Sequence, residues 1–179
     1  MSIHIQPLEM KHIEEATALV ALRYQAERTH NHLLPAQFKQ ADAIAPRLQG
    51  LVGKVPGVIA MRENQIVGFL IGFRANLFRG QRGVFVPDWA HAATEERIFD
   101  TYRAMYAEIA PHWLANGCFT HALQFYPHEK GVREAMFSSG FGMVVIDALR
   151  DLTPVQASAP QIIEIRQASL EMIETIRPL

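Results

Sequence analysis

The sequence predicts a mixed α/β domain, a mostly antiparallel central sheet flanked by helices, and three patterns predict it. Val58-Ile59-Ala60-Met61 and Ile66-Val67-Gly68-Phe69-Leu70-Ile71-Gly72-Phe73 are two arms rich in β-branched and aromatic residues, separated by the polar turn Arg62-Glu63-Asn64-Gln65. Ile98, Phe99, Tyr102, Met105, Tyr106 and Ile109 recur at helical spacing and make the strongest helical stripe of the chain. Beyond that helix, Phe119, His121, Leu123 and Phe125 alternate along one face of a strand.

In chain order, Ile3 and Ile5 alternate with polar residues up to Pro7, which reads as a short strand. Met10, Ile13, Thr17, Val20 and Tyr24 predict an amphipathic helix over about residues 10–27. Phe38, Ala41, Ala45 and Leu48 carry a second helical stripe. The hairpin follows, then a turn at Arg79-Gly80-Gln81-Arg82-Gly83 and a strand, Val84-Phe85-Val86, that Pro87 ends. After the long helix, Asn116-Gly117 supplies a stop before the strand Phe119 to Phe125. A short helix over Lys130 to Ser139 ends at Gly140, and Met143 to Leu149 reads as a final apolar strand. A strand, a helix and a further strand in one sheet imply a right-handed crossover, so the strands at Val86 and Phe119 are expected to run parallel.

With 179 residues, 49% hydrophobic and 20% charged, the chain is too apolar for disorder and large enough to hold a core without a metal or a disulfide. A net charge of −1 with the two signs interspersed argues against a general nucleic-acid binder. One cysteine, Cys118, excludes an internal disulfide and a cysteine-rich zinc site. His30 and His32 form an H-x-H pair without a nearby acid, so no metal site is expected. The first residues lack a basic and apolar leader, and no apolar run approaches the roughly 18 residues of a membrane span. A soluble cytoplasmic protein with no membrane partner is the expectation.

Residues 153–162 turn small, polar and proline-containing, the composition of a linker. After them Ile163-Glu164-Ile165-Arg166 repeats the pattern of Ile3-His4-Ile5-Gln6. At the same offset of 160 residues Ile13 meets Ile173, Glu14 meets Glu174 and Leu19 meets Leu179. Residues 1–152 therefore read as one complete unit, and 163–179 either as the start of a second, truncated one or as a terminal strand and helix that merely look alike. Such a fragment cannot bury its apolar face alone, so the natural protein is expected to be longer, or the tail to dock on its own domain or a neighbouring molecule.

The order of elements, together with Ile3-His4-Ile5-Gln6-Pro7-Leu8, Ile66-Val67-Gly68-Phe69 and Phe137-Ser138-Ser139-Gly140-Phe141, resembles the GNAT superfamily of acyl-CoA-dependent N-acyltransferases over residues 3 to about 150. With the apparent repeat, the chain is similar to the N-terminal half of a tandem two-domain member. The resemblance implies acetyl transfer from acetyl-CoA, without a metal, to an amine of a small molecule or peptide. It also implies a contact with a second such domain or a homodimer.

The resemblance further implies a groove for the pantetheine between two splayed parallel strands, here Val84-Phe85-Val86 and Phe119 to Phe125, and a pyrophosphate site in the loop Pro87 to Ala93 that enters the long helix. Backbone groups of Val84, Phe85, Val86, Ala92 and Ala93 are the expected cofactor contacts, with Arg97 offsetting nearby acids. The chain departs from the family in three respects: the loop has no glycine, Glu95 and Glu96 stand at the head of the helix, and Met136 holds the position of the usual proton-donating tyrosine. Thr94 followed by two acids also reads as an ordinary helix cap. His121, as base, and Tyr126, as donor to the leaving thiolate, are the catalytic candidates; Trp89 and Trp113 are candidates to line a ligand pocket. The alternative reading is a GNAT-like half without catalysis, serving as a structural or ligand-sensing domain.

Overall fold

The alternating N-terminus forms strand β1 (His4–Pro7), and a 3-10 turn at Met10–His12 leads into α1 (Ile13–His30). In the computed structural model, which describes residues 2–77, 80–154, 167 and 169–172, α1 buries Ile13, Val20, Tyr24 and Glu27, the face that the spacing marked. The second helical stripe divides: 3-10 turns at Ala36–Lys39 and Ala41–Ala43 precede the short α2 (Ala45–Leu51). The break falls at Gln40, whose extended backbone (φ −109°, ψ 134°) interrupts the run, and Pro46 suits the first turn of the new helix. Ile44 and Leu48 anchor this segment in the core.

Strands β2 (Gly57–Arg62) and β3 (Gln65–Ile71) form the expected hairpin. Its two-residue turn places Glu63 (φ 50°) and Asn64 (φ 63°) in the left-handed region, the geometry whose twist matches that of the flanking strands. The second arm does not continue unbroken to Phe73. It stops at Ile71, and after Gly72 the chain enters β4 (Phe73–Leu77), which pairs with β5 (Gln81–Val86).

Beyond β5, Pro87 to Ala90 bulge outward, and His91–Ala93 form β6, which returns to pair with β3. The register shifts by three residues between the β4–β5 and β3–β6 ladders. The single sheet expected from the sequence is therefore two sheets, ordered β1-β2-β3-β6 and β4-β5-β7, with β7 at Thr120–Leu123. β5 and β7 are parallel, joined through the long helix α3 (Ile98–Ala115), as the crossover rule requires. The core lies where α1 and α3 meet the first sheet, with Ile59, Phe69, Leu70, Tyr102, Met105 and Ile109 completely buried.

Gly72 stands at the junction because nothing larger fits. A Cβ there would lie 2.5 Å from Val84 Cγ1 and 2.9 Å from Val86 Cγ2, with Trp113 3.2 Å away. Gly72→Ala is expected to destabilise the unit by about 1–3 kcal/mol, the usual cost of overpacking, measured by urea denaturation. A loss under about 0.5 kcal/mol would show that β5 shifts freely and that the junction is soft.

Helix α4 (Lys130–Ser138) forms as expected and ends at Gly140 (φ 91°). The expected last strand is corrected: residues 143–149 join no ladder among the described residues, and Val144, Val145 and Ile146 are exposed. An apolar run becomes a strand only where a neighbouring edge accepts its backbone, and here none of the described strands does. The chain divides into units 1–149 and 150–179. In the second, Asp151 accepts the Thr153 N–H (3.0 Å), and residues 170–172 make a 3-10 turn. The repeat of the first strand and helix expected over 163–179 lies largely outside the described residues.

Candidate functional site

At the C-terminal ends of β5 and β7 the parallel pair comes apart. The last bond across it runs from the Gln124 N–H to the Val86 carbonyl (2.9 Å); past it one chain turns out through Asp88 and Trp89 and the other through Phe125 and Tyr126. Against this open end pack Arg23 and Tyr24 of α1, the 3-10 segment with Pro35 and Phe38, and Arg47 of α2. Together they enclose a cavity of about 250 Å³.

Its wall combines aromatic rings with the aliphatic Val20, Leu34 and Ile44. Tyr24 meets Phe38 and Tyr126 edge to face, at 5.9 and 6.3 Å between ring centres, and Trp89 completes the lining. The Tyr126 hydroxyl donates to Asp88 Oδ2 at 2.6 Å. Burial, that hydrogen bond and the carboxylate's charge together push the phenol far above its ordinary range, so Tyr126 stays protonated. Among the described residues Asp88 Oδ1 accepts no hydrogen bond.

Beneath the cavity floor lies a buried ion pair. Arg23 donates through Nε and Nη2 to the two oxygens of Glu129, the second at 2.7 Å, and through Nη1 to the carbonyls of Asp88 and His91, the latter at 3.1 Å. Burial opposes the cation, but the hydrogen bonds and charge of Glu129 outweigh it and raise its affinity for the proton. Glu129 also accepts the Tyr126 N–H at 2.7 Å. The arginine therefore ties α1 to both arms of the opened pair.

His91 closes the same gap from within. Its Nε2 faces the Gln124 carbonyl at 2.7 Å and its Nδ1 the Tyr102 hydroxyl at 2.6 Å. A carbonyl only accepts, so Nε2 carries the hydrogen and Nδ1 accepts from Tyr102. Complete burial, and then the charge of Arg23, hold its pKa well below the usual imidazole value.

Of the residues expected from the sequence, Tyr126 and Trp89 stand in the cavity. His121 does not line it: Nε2 donates to the Cys118 carbonyl (3.0 Å), Nδ1 accepts from the Tyr106 hydroxyl (2.9 Å), and the ring lies edge-on to Trp113. Burial lowers its pKa, and both nitrogens are engaged. Val84, Phe85 and Val86 sit in the central strand of their sheet, paired with β7 on one side, and Val84 and Phe85 also with β4 on the other. Ala92 and Ala93 are strand residues opposite Phe69 and Gly68, not part of a loop. The expected loop at Pro87 to Ala93 is thus corrected to Thr94 to Arg97, because the chain rejoins β3 before turning into α3. Arg97, left-handed at φ 56°, caps α3 and pairs with Asp100 at 2.8 Å, while Glu96 pairs with Arg62.

Arg23, Arg47 and Glu129 were not singled out as parts of one site. The available signal was Arg23 itself, a cation on the buried stripe between Val20 and Tyr24. The His30 ring stacks on His128 at 4.1 Å, and His128 faces the buried Glu27 at 3.1 Å. Among the described residues no three metal-binding side chains cluster.

Arg23 and His91 engage the backbone carbonyls of Asp88, His91 and Gln124 at the gap, and the loop before α3 carries Glu95 and Glu96. At the head of α4, Gly131 is so close to Ile98 that a Cβ would lie 2.2 Å from its Cγ2.

The fold is similar to that of solved N-acetyltransferases. An aminoglycoside N-acetyltransferase AAC(6')-Iy, solved with CoA, superposes with a TM-score of 0.62 at 13% identity, over 86% of this chain and 96% of that one. The ribosomal-protein-alanine N-acetyltransferase of Brucella melitensis biovar Abortus 2308 gives 0.58 at 17% identity, over 84% and 99%. A protein described as a transcriptional regulator of Bacillus halodurans C-125 gives 0.58 at 12%, over 84% and 100%. At such identities the likeness is one of fold. No family model and no curated protein sequence matches the chain. No helix among the described residues is long and apolar enough to cross a membrane.

Proposed function

We propose that the cavity is the amine site of an N-acetyltransferase-type protein. The observation that carries the reading is a carboxylate with one free oxygen, Asp88, set among aromatic rings at the open end of the parallel pair. An ammonium group bonds to Asp88 Oδ1 while the rings of Trp89 and Tyr126 receive the adjoining carbons and the spread positive charge. A small-molecule or peptide amine is the acceptor class of acetyl transfer, and acetyl-CoA the donor that the fold implies. Near-neutral charge and a single cysteine support a cytoplasmic setting.

The cross-linked gap favours a second reading: this unit holds the amine without transferring an acetyl group to it, as the ligand-sensing half of a longer protein or a homodimer. Calorimetry and thermal shift with acetyl-CoA and with amines separate the two. Binding raises stability by RT ln(1 + [L]/Kd), so a ligand at 100 times its Kd adds about 2.7 kcal/mol. Under the first reading acetyl-CoA and amine both raise Tm and an acetylated amine accumulates. Under the second only the amine raises Tm. No shift with any amine overturns both.

A further inference from the structure

Arg47 is the cation at this site whose charge the fold leaves uncompensated. It stands exposed on α2 with its guanidinium 4.9 Å from the centre of the Phe38 ring and 5.7 Å from that of Trp89, and it lines the same cavity as Asp88. Among the described residues no carboxylate pairs with it and no acceptor takes its hydrogens. Arg23, by contrast, is neutralised by Glu129 beneath the floor. The cavity therefore presents one free carboxylate oxygen and one free guanidinium.

The guanidinium lies over two rings, and its fork of donors matches the geometry of a planar anion. Resting on the amine-binding reading, we infer that the ligand is a zwitterion: an amine that also carries a carboxylate, on an aromatic body, of the α-amino-acid type. The ammonium goes to Asp88, the carboxylate to the Arg47 fork, and the ring among Tyr24, Trp89 and Tyr126. A polycationic amine such as an aminoglycoside is disfavoured, because Arg47 repels each positive charge beyond the one that Asp88 neutralises.

The test uses the full 179-residue chain and three commercial probes: L-phenylalanine, 2-phenylethylamine, which is the same molecule without its carboxylate, and kanamycin as the polycation. Affinities are measured by calorimetry for wild type, Arg47→Met and Asp88→Asn, with circular dichroism to confirm folding. Phenylalanine should bind wild type at least about tenfold more tightly than phenylethylamine, the worth of one charge-assisted bidentate pair. Arg47→Met should bring the ratio close to one while phenylethylamine still binds, and Asp88→Asn should weaken both. Kanamycin should bind more weakly than either. Phenylethylamine or kanamycin binding as tightly as phenylalanine, or an unchanged ratio in Arg47→Met, overturns the zwitterion and leaves the amine site standing. If none of the probes binds, or if Asp88→Asn changes nothing, the amine site fails and the zwitterion with it.

Discussion

Replacing Glu129 by Ala is expected to destabilise unit 1–149 by about 3–5 kcal/mol, the cost of removing one partner from a buried ion pair. The side chains of Arg23 and Glu129 are only 8% and 13% exposed, so the orphaned guanidinium would have little water to turn to. It would keep the carbonyls of Asp88 and His91, which satisfy hydrogens without cancelling charge. Glu129 also holds the Tyr126 N–H, so the substitution loosens that arm of the gap as well. Urea denaturation of Glu129→Ala measures the loss, and Glu129→Gln separates charge from hydrogen bonding. A loss below about 1 kcal/mol for Glu129→Ala would mean that the pair is solvated, as exposed ion pairs are, and that the gap is not held shut by it.

The second large effect is an acid lability centred on His91. Its folded pKa is depressed, so below the ordinary imidazole value of 6.5 the unfolded chain binds a proton that the folded one refuses. The stability associated with neutral His91 is complete above that value. It is lost as pH falls from there towards the depressed folded pKa, at up to about 1.4 kcal/mol for each pH unit. Tm measured from pH 8 to pH 5 should be level at first and then fall steeply below about 6.5. His91→Gln keeps a donor for the Gln124 carbonyl and an acceptor for the Tyr102 hydroxyl but does not titrate, so its slope should be shallower. Equal slopes in the two proteins would show that other groups carry the acid sensitivity. His121 has a depressed pKa as well, and its contribution has the same sign, so a residual slope in His91→Gln is expected.

Much of the fold was legible because it rests on local periodicity. The β2–β3 hairpin, α3 and α4 follow from side-chain spacing and from turns that the chain writes within a few residues. The parallel pairing of β5 with β7 follows from handedness, which needs only the order of elements. What was missed depends on neighbours: the break at Gly72 is set by Val84 and Val86, and His91–Ala93 became a strand because β3 had an edge to receive it. Residues 143–149 have the composition of a strand and no described edge to pair with.

The site divides in the same way. Tyr126 was identifiable as a large amphipathic residue at the end of a predicted strand, and Trp89 as one in the loop after another. His121 was legible as alternating with apolar residues beside the gap, whereas its partners, the Tyr106 hydroxyl and the Cys118 carbonyl, were not. Arg23 and Glu129 are 106 residues apart, and no spacing rule joins them.

By itself the sequence determined most of the secondary elements, among them the β2–β3 hairpin, α1, α3 and α4, and the class of fold they build, because these depend on side-chain character and short-range spacing. Only the tertiary structure decided that the parted strands are cross-linked by Arg23 and His91, that Asp88 and Arg47 line one cavity, and that the His121 ring lies between Tyr106 and the Cys118 carbonyl. A hydrogen bond or an ion pair depends on distance and burial, and those are fixed when distant segments of the chain come together.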